Sequence, residues 1–225
     1  MVEMKIDIHI HSSYSNDGTV APKEILKYAK KIKLNGIAIT DHNELTGSLK
    51  LWKENRHITD FAVIPGMEVS SSEGHVLALG IKEAIPKNLT AKDTIRKVND
   101  LGGLAVASHP YRFWSGLGEE SVRKARFEAI EVINSRSLQK ENNKARKLAE
   151  ELGTGHTGGS DSHSLAHLGD AYTELGNQSL DIDDIVEEIR KRKSKGEGKS
   201  RRLSGTPKYA ASCVYLWLKR GMKRI

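Results

Sequence analysis

Short apolar runs alternate with amphipathic stretches along most of the chain. The runs that we predict to be strands are Lys5–Ile10, Gly36–Thr40, Phe61–Pro65, His75–Ile81, Leu104–Ala107, Ala129–Ile133 and Gly155–Gly159. Apolar positions at helical spacing predict helices at Pro22–Lys33, Leu45–Asn55, Ala91–Leu101, Leu138–Leu152 and Asp181–Lys193. Strands that alternate with helices in this way favour βα units and a parallel sheet. Periodicity alone leaves open whether that sheet is flat or closed into a barrel.

The composition is that of a single globular domain. A chain of 225 residues with 37% hydrophobic residues is long enough for a full-sized core. No run of 18 or more apolar residues occurs, so we expect no membrane span. The N-terminal residues lack the sections of a signal peptide, and the single cysteine, Cys213, excludes an internal disulfide. We therefore expect a cytoplasmic protein.

The positive charge lies at the C-terminal end. Residues 190–225 hold 13 Lys and Arg against one acidic residue, whereas the other residues carry a net charge of −5. We predict a body at residues 1–193 and a basic segment at 194–225, with a flexible linker at Ser194–Ser204 and a helix at Pro207–Arg224. The helix could dock on the body through its apolar positions, or the segment could attract a polyanion such as nucleic acid.

Histidine and carboxylate residues recur at the ends of the predicted strands. His9 and His11 lie two apart at the end of the first strand, so their side chains point to the same face. The full set is His9, His11, Asp17, His42, Glu68, His75, His109, Asp161 and His163. Strand ends converge at one edge of an α/β sheet, where this mixture of ligands suits an open site with Zn, Mn or Fe.

The alternative is that each histidine is an isolated surface residue. Recurrence at successive strand ends argues against it for this set. His57, His156 and His167 lack that context, and we interpret them as a surface, a packed and a structural residue, respectively, with substrate contact as the alternative for His167. Asp7 and Asp41 lie beside the set, where they could orient imidazoles or simply be solvated.

Five motifs resemble the PHP (polymerase and histidinol phosphatase) family. They are His9-Ile-His11-Ser, Asp41-His42-Asn43, Gly66-Met67-Glu68, Ser108-His109-Pro110 and Gly159-Ser160-Asp161-Ser162-His163. The match runs in order from about Met4 to Leu175. The resemblance implies a distorted (β/α)7 barrel, TIM-like, with a metal site at the C-terminal ends of the strands.

The resemblance also implies a ligand set for two to three divalent ions. The first ion would be held by His9, His11, Glu68 and Asp161. Glu68 would bridge to a second ion held by His75 and His109, and Asp17, His42 and His163 would hold the third. Glu68, Asp161 and His163 are the residues that we expect to act in catalysis.

This ligand set implies a metal-dependent phosphoesterase, in which metal-bound hydroxide attacks a phosphate monoester of a nucleotide or small metabolite. Arg112 is the candidate phosphate-binding residue, with a solvent-facing role as the alternative. Tyr111, Phe113 and Trp114 could stack on a base or anchor their loop. The alternatives in function are a 5′-end exonuclease, favoured by the basic segment as a nucleic-acid partner, and a non-catalytic ribonucleoprotein subunit. The sequence leaves the oligomeric state unknown.

Overall fold

A computed structural model describes residues 3–201 and, beyond them, residues 211, 214, 215 and 218. The strands are β1 (Met4–Ile10), β2 (Gly36–Ile39), β3 (Ala62–Ser70), β4 (His75–Leu79), β5 (Leu104–Ala107), β6 (Ala129–Asn134), β7 (Gly155–Gly159), β8 (Ala171–Leu175) and β9 (Lys195–Gly198). The helices are α1 (Pro22–Lys31), α2 (Thr46–Asn55), α3 (Ala91–Asp100), α4 (Glu119–Ala125), α5 (Gln139–Leu152) and α6 (Ile182–Arg190). Within these residues, none of the helices has the length and apolar character needed to span a bilayer.

The strands form one sheet that curls into a nearly closed barrel. Their order is β7-β6-β5-β4-β3-β2-β1-β8-β9. The chain beyond β7 returns to the end of β1, where the Asp161 N–H donates to the His9 carbonyl over 2.7 Å. Gly159 permits this approach, since a Cβ atom there would lie 2.4 Å from the His9 Cβ. The barrel predicted from the family resemblance is confirmed.

The sheet departs from a regular (β/α)7 succession at β4. This strand is antiparallel to both neighbours, β3 and β5. The reason is the short connection 71–74, closed by a Ser71 N–H bond to the Gly74 carbonyl, because a parallel crossover needs a dozen or more residues. The same pairing extends β3 beyond the predicted Pro65 as far as Ser70. The uniformly parallel sheet that the sequence favoured is therefore wrong at this strand.

Buried apolar side chains fix the helices on the sheet. Ile25 of α1 and Leu51 of α2 share a cluster with Ile39 of β2. Ile189 of α6 belongs to a second cluster with Ile6 of β1. The five helices predicted in residues 1–193 all form, with ends within three residues of the expected ones. In contrast, α4, with a single buried side chain, has too weak an apolar pattern to be predicted.

The basic segment begins as part of the sheet. We expected a flexible linker at Ser194–Ser204, but Lys195–Gly198 pairs with β8 as β9. Gly196 allows the close approach, because a Cβ atom there would lie 2.3 Å from the Thr157 carbonyl oxygen. Of the predicted helix Pro207–Arg224, the positions 211, 214, 215 and 218 are helical and the rest lie outside the described residues. Val214 and Leu218 are 54% and 56% exposed, so these two side chains do not dock on the barrel.

Candidate metal centre

The structure brings the nine predicted side chains together at one end of the barrel. They form overlapping groups whose ligand atoms lie within 4.8 Å of one another: His11, Asp17, His42 and His163; His9, His11 and Asp161; His9, Glu68 and His109; His42, Glu68 and His75. His75 joins them although it begins its strand. Because β4 runs antiparallel, its first residue lies at the edge where the parallel strands end.

Glu68 lies at the middle of the cluster. Its Oε1 accepts from the Ser108 hydroxyl over 2.9 Å and lies 3.0 Å from both His75 Nδ1 and His109 Nε2. Its Oε2 faces three further imidazole nitrogens, those of His9 at 3.4 Å, His11 at 3.3 Å and His42 at 3.1 Å. The two oxygens of one carboxylate thus face different sets of histidines.

The buried donor atoms suit a cation. Glu68 Oε2 is buried without a hydrogen bond from the described residues, despite the imidazole nitrogens around it. His9 Nε2 and His11 Nε2 lie 3.2 Å apart and 3.7 and 3.3 Å from Asp161 Oδ1. Ligand atoms about 2.0–2.2 Å from a shared ion have separations of about this size. The donor set therefore fits divalent metal binding.

Asp17 ties the loop after β1 to the same cluster. Its Oδ2 lies 3.0 Å from His163 Nε2 and 3.6 Å from His42 Nε2, while the Ser15 hydroxyl donates to Oδ1 over 2.8 Å. The loop turns back tightly, since a Cβ atom at Gly18 would lie 2.0 Å from the Ser12 carbonyl oxygen. The turn places a carboxylate from outside the strands next to two strand-end histidines.

Burial and neighbouring charge shift the protonation of the cluster. Burial, with the Arg112 charge, lowers the pKa of His109 to about 3, and burial with the Arg136 charge lowers the pKa of His163 to about 4. Burial alone would raise the pKa of Glu68, but the surrounding histidines hold it well below its usual value. Deprotonated imidazoles and carboxylates are the forms that bind metals.

His9 and His11 have the opposite shift. Burial favours their neutral forms, yet Glu131, Asp161 and Glu68 raise the pKa of His9 well above its usual value. The carboxylates of Asp161 and Glu68 beside His11 likewise outweigh its burial and raise its pKa to about 9. A cation that binds here competes with protonation of these two imidazoles.

Two arginines flank Asp161. The predicted Arg112 has its Nη1 2.7 Å from Asp161 Oδ2 and is 13% exposed, so it faces the cluster and not solvent. Arg136, in the loop after β6, places its Nη1 3.3 Å from Asp161 Oδ1 and 2.9 Å from His163 Nε2. Sequence reasoning missed Arg136, because no motif marks it.

Two residues of β6 also belong to the site and were not predicted. Glu131 and Asn134 are buried among the ligands, and Glu131 Oε1 lies 2.9 Å from His9 Nδ1. A charged residue inside the apolar run Ala-Ile-Glu-Val-Ile was the signal that could have found Glu131. Neither Asp7 nor Asp41 has a hydrogen bond to an imidazole among the described residues. Asp7 accepts backbone N–H groups and Asp41 accepts from Ser12.

Curated relatives match most of this barrel. Uncharacterized protein MJ1587 of Methanocaldococcus jannaschii is 36% identical over 143 residues, which cover 59% of this chain and 82% of the relative. Uncharacterized protein MJ0417 of the same organism is 33% identical over 191 residues, covering 80% of this chain and 74% of the relative. The family described as PHP-associated matches residues 139–194.

Solved structures share the fold at low sequence identity. A two-domain protein from Bacteroides vulgatus, containing a predicted PHP-like metal-dependent phosphoesterase, superposes with a TM-score of 0.73 at 18% identity. This chain is covered over 88% of its length and spans 65% of that protein. A lesion-specific endonuclease from Pyrococcus furiosus, EndoQ, superposes with a TM-score of 0.61 at 17% identity, over 87% of this chain and 58% of the endonuclease.

The fold and the clustered side chains define a TIM-like barrel protein whose strand-end side chains suit divalent metal binding. With these relatives and the PHP-associated match, the chain belongs to the PHP (polymerase and histidinol phosphatase) family.

Proposed function

We propose that the protein is a metal-dependent phosphoesterase that hydrolyses a phosphate monoester of a nucleotide or small metabolite. The observation that carries this proposal is the buried carboxylate Glu68, whose Oε2 faces three imidazole nitrogens within 3.4 Å without a hydrogen bond from the described residues. Buried polar groups are normally hydrogen-bonded, and clustered ligands of this kind suit divalent ions.

The residues divide into two roles in this proposal. Two to three Zn, Mn or Fe ions would be held by His9, His11, Asp17, His42, Glu68, His75, His109, Asp161 and His163. When bound, such ions supply Lewis-acid activation of water and of the phosphate. Arg112 and Arg136 bind and orient the anionic phosphate, since both guanidinium groups already face the carboxylate of Asp161.

The exposed aromatic residues beside Arg112 favour a nucleotide substrate. Phe113 and Trp114 are 82% and 75% exposed and contact each other edge to face at 4.7 Å. Their loop is held by backbone hydrogen bonds such as Gly116 N–H to the Arg112 carbonyl, so they do not act as its anchor. Aromatic faces near a phosphate-binding arginine offer a stacking surface for a base.

A nuclease activity at the same centre is the second candidate. The Arg201 N–H donates to the Ser137 carbonyl over 2.8 Å, so Arg201, which precedes residues 202–225 in the chain, lies next to the loop of Arg136. Those residues contain six Lys or Arg and no acidic residue. A segment with this charge suits binding of a polyanion. A non-catalytic subunit is disfavoured because the ligand set is complete.

Metal content and substrate profiling test the proposal together. Purified protein reconstituted with Mn or Zn should carry two to three equivalents and hydrolyse nucleoside monophosphates, a sugar phosphate or 5′-phosphorylated oligonucleotides. The double variant His9→Ala with His11→Ala should lose metal and activity, while His57→Ala, an exposed histidine outside the cluster, should keep both. Reconstituted wild-type protein without bound metal would refute the proposal.

A further inference from the structure

We propose that Glu131 and Asn134 of β6 are positioning residues that fix the tautomer and orientation of the metal ligands around them. The proposal rests on the metal centre proposed above. Among the described residues, β6 supplies none of the nine candidate ligands, yet its two buried polar side chains contact residues that come from β1, from the ends of β5 and β7, and from the loop after β6.

Both oxygens of Glu131 act as acceptors. Oε1 lies 2.9 Å from His9 Nδ1, whereas Oε2 accepts from the His109 backbone N–H over 2.8 Å and from Asn134 Nδ2 over 3.0 Å. A carboxylate at His9 Nδ1 requires the ring proton on that nitrogen. The lone pair of His9 is then on Nε2, the atom that faces His11 and Asp161.

Asn134 connects Glu131 to Asp161 and to the two candidate phosphate-binding arginines. Its Nδ2 donates to Glu131 Oε2 and, over 3.3 Å, to Asp161 Oδ2, so both amide hydrogens are directed at carboxylates. Its Oδ1 accepts from Arg112 Nη2 over 2.5 Å and from the Arg136 backbone N–H over 3.0 Å. The Asn134 amide therefore holds the candidate metal ligand Asp161 in line with the two candidate phosphate-binding residues, Arg112 and Arg136.

The backbone around this pair is held in place as well. His109 has a φ of +27° and Asp161 a φ of +52°, conformations that non-glycine residues rarely adopt. The hydrogen bond from the His109 N–H to Glu131 and the contact of Asp161 with Asn134 hold these two turns. Asn142 of α5 exchanges two hydrogen bonds with the Asn134 backbone, at 3.1 and 3.0 Å, and these bonds hold that backbone in place.

The substitution Glu131→Gln separates positioning from mere packing. An amide of the same shape has one acceptor oxygen, whereas Glu131 now accepts at both ends. If the amide nitrogen faces His9, the His9 proton must move to Nε2, the metal-facing atom. If the amide flips, its nitrogen meets the His109 N–H and Asn134 Nδ2, both donors. Either arrangement weakens metal binding without creating a cavity.

The test is zinc affinity of metal-depleted protein, measured by chelator competition, together with the ¹⁵N resonances of the histidine rings in the zinc-loaded form. Glu131→Gln should weaken at least one zinc equivalent about 10- to 100-fold, and Glu131→Asp should recover part of that loss. Glu128→Gln is the matched control, because Glu128 precedes the same strand but pairs with Arg190. In zinc-loaded wild type, the His9 ring, assigned by comparison with His9→Ala, should carry its proton on Nδ1.

The outcomes separate the two proposals. Wild-type protein that binds neither Zn nor Mn would end both. Wild-type zinc binding with unchanged affinity in Glu131→Gln would overturn only the positioning role. A His9 ring protonated on Nε2 in the zinc-loaded wild type would also overturn it, and this measurement remains decisive if the Gln variant does not fold.

Discussion

Arg112 Nη1 lies 2.7 Å from Asp161 Oδ2, with the arginine side chain 13% exposed. This contact excludes the solvent-facing role that the sequence left open for Arg112. It also couples a candidate phosphate ligand to a candidate metal ligand, because the guanidinium pairs with a carboxylate that would also hold a metal ion. A guanidinium offers a planar fork that matches two phosphate oxygens, which a lysine cannot reproduce.

Replacing Arg112 should therefore weaken substrate binding more than turnover. We expect Arg112→Lys to raise KM for a nucleoside monophosphate about 10-fold or more, since a charge-assisted hydrogen bond contributes about 1.5–3 kcal/mol. Arg123→Lys is the control, because Arg123 pairs with Glu119 and Glu151 outside the cluster. An unchanged KM in steady-state assays of Arg112→Lys would show that the arginine does not bind the phosphate.

The two carboxylates Glu68 and Asp17 should differ in their importance. Glu68 lies within 3.4 Å of five imidazole nitrogens through its two oxygens, whereas Asp17 approaches two histidines. We expect Glu68→Gln to lower kcat by at least about 100-fold, because one substitution disturbs several ligands. Asp17→Asn should lower kcat by a smaller factor. Steady-state rates at matched metal loading provide the comparison, and equal losses would contradict the ranking.

The sequence was sufficient to predict which histidines and carboxylates cluster at the strand ends. The His9 and His11 pair, and the Asp161 and His163 pair, are visible because a two-residue spacing after an apolar run has a direct structural meaning. The reversed direction of β4 is set by the short connection 71–74, whose length was not apparent because the preceding strand was predicted to end at Pro65 and not at Ser70. It was therefore not predicted, although His75 was.

The supporting residues were harder to predict because their roles depend on contacts across the barrel. Glu131 is 122 positions from His9 in the chain, and only the barrel brings their side chains within 2.9 Å. Asp7 and Asp41, nearer in sequence, were candidates for orienting imidazoles, with simple solvation as the alternative. In the structure Asp7 instead accepts the Ser160 and Gly169 N–H groups. Its burial raises the pKa of Asp7 to about 6, while those bonds lower it.

The exposed aromatic pair should distinguish nucleotides from other phosphate esters. Replacing Phe113 and Trp114 by Ala should raise KM for a nucleoside monophosphate about 10-fold, because stacking on an aromatic side chain contributes about 1–3 kcal/mol per base. KM for a sugar phosphate without a base should stay unchanged in the same variant, which serves as the internal control. If both KM values change equally, the pair supports the loop and does not contact a base.

The last prediction concerns the basic segment, and the position of β9 decides where to cut it. Truncation after Lys193 would remove a strand that pairs with β8, so a loss of activity could reflect unfolding. Truncation after Arg201 keeps β9 and the bond from Arg201 to Ser137 while removing six basic residues. If this segment binds nucleic acid, the truncated protein should bind single-stranded oligonucleotides more weakly, and its affinity should depend less steeply on salt. Hydrolysis of a nucleoside monophosphate should be unaffected, because the clustered side chains all precede residue 202. Equal oligonucleotide affinities for the two proteins across a salt titration would leave the nuclease hypothesis without its support from the segment and would favour the monoesterase.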